Sequence, residues 1–491
     1  MTTHLIRPAD HPADPGHHRS PATAGLGLAA LTALVVGSMI GSGIFALPSQ
    51  MASSAAPGPL IIGWMITGVG MLMLAFVFQN LVSRKPDIDG SVYGYARAGF
   101  GDYIGMTSAW GYWVSAWVGN VGYLVLLAST LGYFWPTFEG GNTVSAIVLA
   151  SVVLWLVHWT ALRGVHNAAF VNTVVTVAKV VPILTFIAIA AVGFKANIFT
   201  TDIWGHGAGL GTTLDQVKNM MLVTVWVFIG IEGASVYSQR ASKRSDVGKA
   251  TIMGFFGVLA LLLAVNLLSY GLMAQAKIAG LSDPSMAALM KDQVGSWGAG
   301  FISAGLTISL LGALLAWVLL CVEILRLPAR DHVLPTVFGH ENTHGAPDVA
   351  LWMTNGCVQL MLLWTLYNSG TYTKLIYLAT SLILLPYLWS AAYQVLLAVR
   401  GETYEGGHGR VKDLVVGGVA LGYAVWLVYA GGWKYVLVAG IFYLVGTAFF
   451  VWARKETKQV WFTAVEKVLV GIVSALAVAG VIGLVQGWVS V

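Results

Sequence analysis

The sequence predicts an all-α integral membrane protein of twelve or thirteen spans, the first ten of them forming two inverted five-span units. Three observations carry that prediction. Of 491 residues, 57% are hydrophobic and only 10% charged, with a mean hydropathy of +0.76, whereas a soluble chain needs roughly 25% charge to clothe its surface. Apolar runs of about 20 residues, each long enough to cross a hydrocarbon core of about 30 Å, recur from Leu26 to the C-terminus. Two of these runs are interrupted at mid-depth by glycines and polar residues, which hydrocarbon tolerates only where the backbone lines a cavity.

Taken in order, the spans fall near 26–54, 59–83, 104–134, 142–162, 168–194, 214–238, 248–275, 297–325, 348–368, 372–399, 412–431, 434–453 and 464–490. Ahead of them, residues 1–24 carry prolines, four histidines, Arg7 and Arg19 without an apolar core. They read as a disordered cytoplasmic tail, neither a cleaved signal peptide nor a metal site. With the N-terminus cytoplasmic, the inward-facing segments hold nineteen Lys and Arg, the outward loops six, and Lys179 lies within a span. This obeys the positive-inside rule, so the basic composition reports topology and not a nucleic-acid partner. The two cysteines, Cys321 and Cys357, both fall in apolar runs, which implies no disulfide framework.

The first interruption is Gly37-Ser38-Met39-Ile40-Gly41-Ser42-Gly43-Ile44-Phe45, followed by Pro48; the second is Gly230-Ile231-Glu232-Gly233-Ala234-Ser235 in the sixth span. Gly37 and Gly41 also form a GxxxG pair, which by itself fits close helix packing. The recurrence of a break five spans later is the pointer to an inverted-repeat transport site, with repeats over 25–200 and 201–400 and trailing spans over 401–491. Helix N-termini freed at such breaks hold a carboxylate and freed carbonyls hold an ammonium. An α-amino acid carries both.

Three ionisable residues lie deep in spans: Lys179, Glu232 and Glu323. Glu232 sits in the second break, as a gating or proton-responsive acid or as a hydrogen-bond partner for freed amides. Lys179 has no acid nearby in sequence and serves either as a structural cation or as a proton carrier. Glu323 has Arg326 three residues on, so an interfacial ion pair competes with any functional role. Trp226 and Trp317 sit deeper than an interfacial belt requires and either pack or place an indole face against a cation. Clustered His, Asp or Cys at mid-depth, which a membrane-embedded enzyme needs, are absent, and no metal site, cofactor or appended signalling domain is expected.

These motifs resemble the amino acid-polyamine-organocation transporters, in particular their basic amino acid/polyamine antiporter branch. The likeness rests on Gly41-Ser42-Gly43-Ile44-Phe45 with Pro48, on Asp89-Gly90-Ser91-Val92-Tyr93-Gly94-Tyr95-Ala96-Arg97, on Tyr112-Trp113 through Trp117-Val118-Gly119-Asn120, and on Trp226 to Ala234. The thirteenth span, Lys179 with Pro182, Glu323 and Gly345-Ala346-Pro347 are most similar to the arginine/ornithine antiporters. The resemblance implies a LeuT-like fold and alternating-access exchange of cationic amino acids, arginine against ornithine, across a bacterial plasma membrane. A proton-coupled permease, or an exchanger of lysine, histidine/histamine or tyrosine/tyramine, is the alternative. It further implies that Gly41, Ser42 and Gly43 hold the substrate carboxylate, and that carbonyls around Ser38, Met39, Trp226 and Ile229 receive its ammonium. Trp226 would gate the site, Glu232 would couple gating to pH, and Lys179 would stand where sodium-coupled relatives bind an ion. Trp317 and Asn120 would line the side-chain pocket beside Ala116, which replaces a cysteine of the arginine/agmatine pattern and leaves room for a differently shaped head group. Implied partners are the substrate, its counter-substrate, membrane lipids and a second copy of the chain.

Overall fold

The computed structural model describes residues 27–88, 91–163, 168–232, 243–367 and 371–489, and within these every regular element is helical. The expected N-terminal tail, Asp89-Gly90 and Gly233-Ala234-Ser235 lie outside the described residues.

In chain order the helices are α1 (Leu28–Met39), α2 (Gly43–Ala52), α3 (Pro57–Arg84), α4 (Val92–Phe100), α5 (Asp102–Leu131), α6 (Val144–Leu162), α7 (Ala168–Gly193), α8 (Ala196–Phe199) and α9 (Thr213–Trp226). The second half adds α10 (Arg244–Leu272), α11 (Gln275–Ala279), α12 (Ser285–Val294), α13 (Ser296–Arg330), α14 (Asp348–Thr365), α15 (Thr371–Arg400), α16 (Arg410–Gly431), α17 (Trp433–Glu456) and α18 (Ala464–Gln486). Ten of them are long and apolar enough to cross a bilayer, and α1 with α2 forms one further span bent by 45°. The ninth expected span is α14, whose 18 residues include Asp348, Asn355 and Gln359 and are correspondingly less apolar. The sixth begins as α9 and loses regular helix at its break.

Local chemistry sets many of the boundaries. α3 opens on Pro57, a residue whose missing N–H costs nothing in a first turn. Capping boxes start α9 (Thr212 with Asp215) and α18 (Thr463 with Glu466), and Ser91 caps α4 by accepting from Gly94 N. Gly432, at φ +85°, turns α16 directly into α17.

The core is organised around α5, 89% of whose apolar window is buried, against 17% for the peripheral α18. Glycines let other helices reach it closely. A Cβ on Gly111 would stand 2.2 Å from the Tyr443 hydroxyl and 2.9 Å from the Leu382 carbonyl. Likewise Gly305 of α13 admits the Pro182 ring of α7.

Two faces close the bundle. The basic face gathers the arginines at helix ends into ion pairs, with Arg84 on Asp413 at 2.6 Å and Arg97 on Asp331 at 2.6 Å and on Asp102 at 2.8 Å. Arg454 reaches Asp102 at 3.0 Å. The opposite face is covered by α11 and α12, called here the lid. The lid is tied to the α2 end by Gln275 donating to the Ala52 carbonyl and by Ser49 N donating to Ser285 Oγ at 3.1 Å.

Because overpacking a core costs about 1–3 kcal/mol, Gly111→Val is expected to lower the melting temperature of the detergent-solubilised protein by several degrees. Gly418→Ala, whose added Cβ meets nothing within 4 Å, is expected to leave it unchanged or slightly raised.

Candidate functional site

Both mid-depth breaks are real interruptions of the backbone, and they face each other. α1 ends at Met39, Ile40 is extended (φ −74°, ψ 91°), and helix resumes at Gly43. In the sixth span α9 stops at Trp226 and tighter turns follow, with Phe228 N bonded to Val225 O and Ile231 N to Phe228 O. Gly230 has φ +107°, and a Cβ there would stand 2.7 Å from the Ser38 carbonyl oxygen, so both its conformation and its neighbour require glycine. Ser38 Oγ, 3.2 Å from the Gly230 carbonyl, joins one break to the other. The GxxxG pair divides: a Cβ on Gly37 would find only an ordinary 3.5 Å contact, whereas one on Gly41 would stand 3.2 Å from the Tyr123 hydroxyl.

The ionisable residues serve this irregular backbone. Lys179 Nζ on α7 donates to Gly37 O at 2.6 Å and to Ile40 O at 3.0 Å, two carbonyls at the end of α1. Glu232 accepts from Gly230 N at 3.2 Å, from the Tyr112 hydroxyl at 2.6 Å and from the Tyr387 hydroxyl at 2.8 Å. Its carboxylate thereby joins the sixth span to α5 and α15. Glu323, by contrast, is exposed and pairs with Arg326 at 3.0 Å on the basic face.

Between the breaks lies a cavity lined by Ser38, Met39, Ile40, Gly41, Ser42, Gly43, Ile44, Ser115, Ala116, Gly119, Tyr123, Trp226, Val227, Ile229, Val258, Leu262 and Trp317. It has room for little more than a water molecule. The walls are therefore drawn in, and a ligand larger than water needs them to part. None of the lining side chains carries a formal charge at neutral pH. Trp226 is wedged between the halves: a Cβ on Gly43 would stand 2.8 Å from its indole, one on Gly119 3.1 Å, and the Tyr123 ring lies 6.1 Å away.

Of the residues expected to touch substrate, Ser38, Met39, Gly41, Ser42, Gly43, Ala116, Trp226, Ile229 and Trp317 come together here. Asn120 lies outside this lining; its amide donates to Cys321 Sγ on α13 at 3.7 Å. The tyrosines that complete the arrangement escaped sequence reading. Tyr112 and Tyr387 hold Glu232, Tyr123 lines the cavity, and Tyr372 meets Ser42 Oγ at 3.1 Å. Tyr112 was visible only inside a longer motif, and the others carry no charge or spacing to mark them. No group of three or more potential metal ligands occurs among the described residues.

Over the cavity, the lid supplies one more buried acid. Asp283 accepts from Ser49 Oγ at 2.9 Å, its own carbonyl accepts from Ser129 Oγ at 2.6 Å, and the Tyr372 phenol lies within its field. Burial pushes its carboxyl from the ordinary 3.8 up to about 7.

A buried, largely neutral cavity between two broken helices of a LeuT-like bundle defines a secondary transporter for a small zwitterionic or charged solute. Comparison with known sequences narrows that class, because the amino acid permease profile matches residues 26–475, and the chain belongs to that family. It is 58% identical to an arginine/ornithine antiporter of Pseudomonas aeruginosa, over 95% of this chain and 98% of that one. It is 44% identical to an L-lysine transport protein of Corynebacterium glutamicum, over 94% and 95%. An arginine/agmatine antiporter of Chlamydia felis is 38% identical over 93% and 96%.

The Asp283 carboxyl gives a pH signature with a definite sign. In the folded protein it holds its proton up to about pH 7, in the unfolded chain only to about pH 4. The folded state thus binds more protons across that window, and its stability falls as pH rises through it. Melting curves from pH 5 to 8 should show wild type losing stability relative to Asp283→Asn; identical slopes for the two proteins would refute the assignment.

Proposed function

We propose that the chain exchanges cationic amino acids across a bacterial plasma membrane by alternating access, arginine against ornithine, with the basic face and the N-terminus in the cytoplasm. The observation that carries this reading is the neutral cavity with opposed polar ends. The N-terminus of α2 and the Ser42 hydroxyl supply donors for a carboxylate. Carbonyls around Ser38, Met39, Trp226 and Ile229 supply acceptors for the α-ammonium. The indoles of Trp226 and Trp317 supply faces for a cationic side chain, each worth about 0.5–2 kcal/mol when desolvated. The similarity to antiporters and carriers of arginine, ornithine and lysine supports the same substrate class.

Arginine and ornithine carry equal charge, so a one-for-one exchange moves none. Lys179, bridging Gly37 O and Ile40 O, supplies as an ammonium the positive charge that a co-transported ion would bring and take away. Glu232 links the moving break to α5 and α15 and acts as the gate that must be released toward the basic face.

The decisive assay is counterflow in proteoliposomes loaded with unlabelled arginine, ornithine, lysine or histidine. Labelled arginine should enter against internal ornithine at a rate indifferent to a clamped membrane potential. Accumulation driven by a pH gradient without internal substrate would replace exchange with proton-coupled uptake. Trp226→Leu and Ser42→Lys should each abolish exchange, the first by removing the wedge and the second by filling the carboxylate subsite. Glu232→Gln should flatten the pH profile of exchange, and an unaltered profile would remove Glu232 from gating.

A further inference from the structure

Ser42 occupies the N-cap position of α2 yet its side chain accepts no N–H from that helix. The reason is conformational: a capping serine normally has extended backbone angles, whereas Ser42 is helical at φ −69°, ψ −27°. Its hydroxyl is therefore turned away from the amides that it would otherwise cap, and it meets the hydroxyl of Tyr372 at 3.1 Å. Both residues are buried, at 1% and 5% exposure. Tyr372 is not part of the cavity wall; it stands behind Ser42, at the start of α15. The Trp226 indole lies beside Gly43, next to this pair.

The direction of this hydrogen bond follows from what each group can do. A phenol and an aliphatic hydroxyl each both donate and accept. The phenol is the more acidic of the two hydroxyls, so between them the Tyr372 proton goes to Ser42 Oγ. Ser42 Oγ, having accepted, is left with its own proton to give. That proton has the cavity before it, where only a hydrogen-bond acceptor completes the chain.

We propose that Tyr372 is a positioning residue that orients the Ser42 hydroxyl as a donor, and that the relay from Tyr372 to Ser42 selects substrates carrying a carboxylate over their decarboxylated amines. This rests on the placement of the substrate carboxylate at Ser42 given above. An anionic acceptor at the end of a donor chain shortens and strengthens every link in it. Because Ser42 occupies the N-cap position of α2 and Tyr372 belongs to α15, a carboxylate favours the arrangement in which those two elements are drawn together. An amine lacking the carboxylate leaves the last donor unmatched and gains nothing from that arrangement.

The test compares arginine with agmatine, its decarboxylated form, as competitors of labelled arginine exchange in proteoliposomes, for wild type, Tyr372→Phe, Ser42→Ala and the double variant. Tyr372→Phe keeps the ring and should weaken arginine about tenfold, the cost of one hydrogen bond to a charged group, while agmatine stays within about twofold. Ser42→Ala should show the same selective loss, and the double variant should be little worse than either single one, because the two residues act as one unit. Equal weakening of both ligands by Tyr372→Phe, or additive losses in the double variant, would overturn the relay and leave a packing role only. If Tyr372→Phe fails to fold, Ser42→Ala decides: a loss shared equally by arginine and agmatine refutes the proposal. If wild type takes lysine and refuses arginine, the arginine reading falls by itself, and lysine against cadaverine then tests Tyr372 in the same way.

Discussion

A polar backbone cannot be left unpaired in hydrocarbon, and the site is built on that constraint. Interrupting α1 and the sixth span frees carbonyls and amides whose burial costs roughly 1–3 kcal/mol each if unmet. The structure meets them with the most expensive side chains it has at that depth. Lys179 takes the Gly37 and Ile40 carbonyls, Glu232 takes the Gly230 amide, and Ser38 Oγ bridges to the Gly230 carbonyl. Each charge is thereby hydrogen-bonded, which is the condition under which a buried ion is tolerated at all.

Because the two charges are turned to the backbone, the cavity is left without any of its own. That has a consequence for recognition. A formal charge in the wall would bind one side-chain charge state strongly and hold it, whereas carbonyls, helix-end amides and indole faces offer several moderate contacts. Moderate contacts suit a carrier, which has to release on one side what it accepts on the other. The contracted walls are consistent with this, since Trp226 stands close against Gly43 of α2 and against Gly119, and a ligand larger than water needs them to part.

The spans, the helical breaks and the special glycines were legible in the sequence because each is a local departure from a strong regular signal. Gly230 is the clearest case: a glycine beside a carboxylate inside an apolar run announces its own strain. The partners were not legible. Tyr112 and Tyr387 lie 120 and 155 residues from Glu232, and an uncharged tyrosine in a span rich in aromatics carries no mark of what it holds. Asn120 illustrates the converse difficulty: a motif places it one turn from Ala116, but whether its amide enters the cavity or turns to Cys321 depends on how α13 packs. The ninth span, α14, was legible as an apolar run but not for its polar content, whose partners on α6 are also remote. Asn355 meets His158 at 3.0 Å and Gln359 meets Ser151 at 2.9 Å.

The break in the first span also divides that span between two bodies. α2 is fastened to the lid through Ser49 and Ala52, and the loop that follows it, at Ala55, accepts from the Tyr270 hydroxyl of α10 at 2.6 Å. α1 is fastened to α7 by the two charge-assisted bonds from Lys179. Only Ile40, Gly41 and Ser42 lie between; Ile40 N still bonds to Val36 O, and past it the helical ladder is interrupted, with Gly41 N turned to Met39 O. The halves therefore need not move together. Releasing the lid side costs neutral hydrogen bonds worth about 0.5–1.5 kcal/mol each. Swinging α1 away from α7 means stripping a buried ammonium of its acceptors, which is several times dearer. In hydrogen bonds alone, the α2 side of the break is thus the cheaper of the two to release.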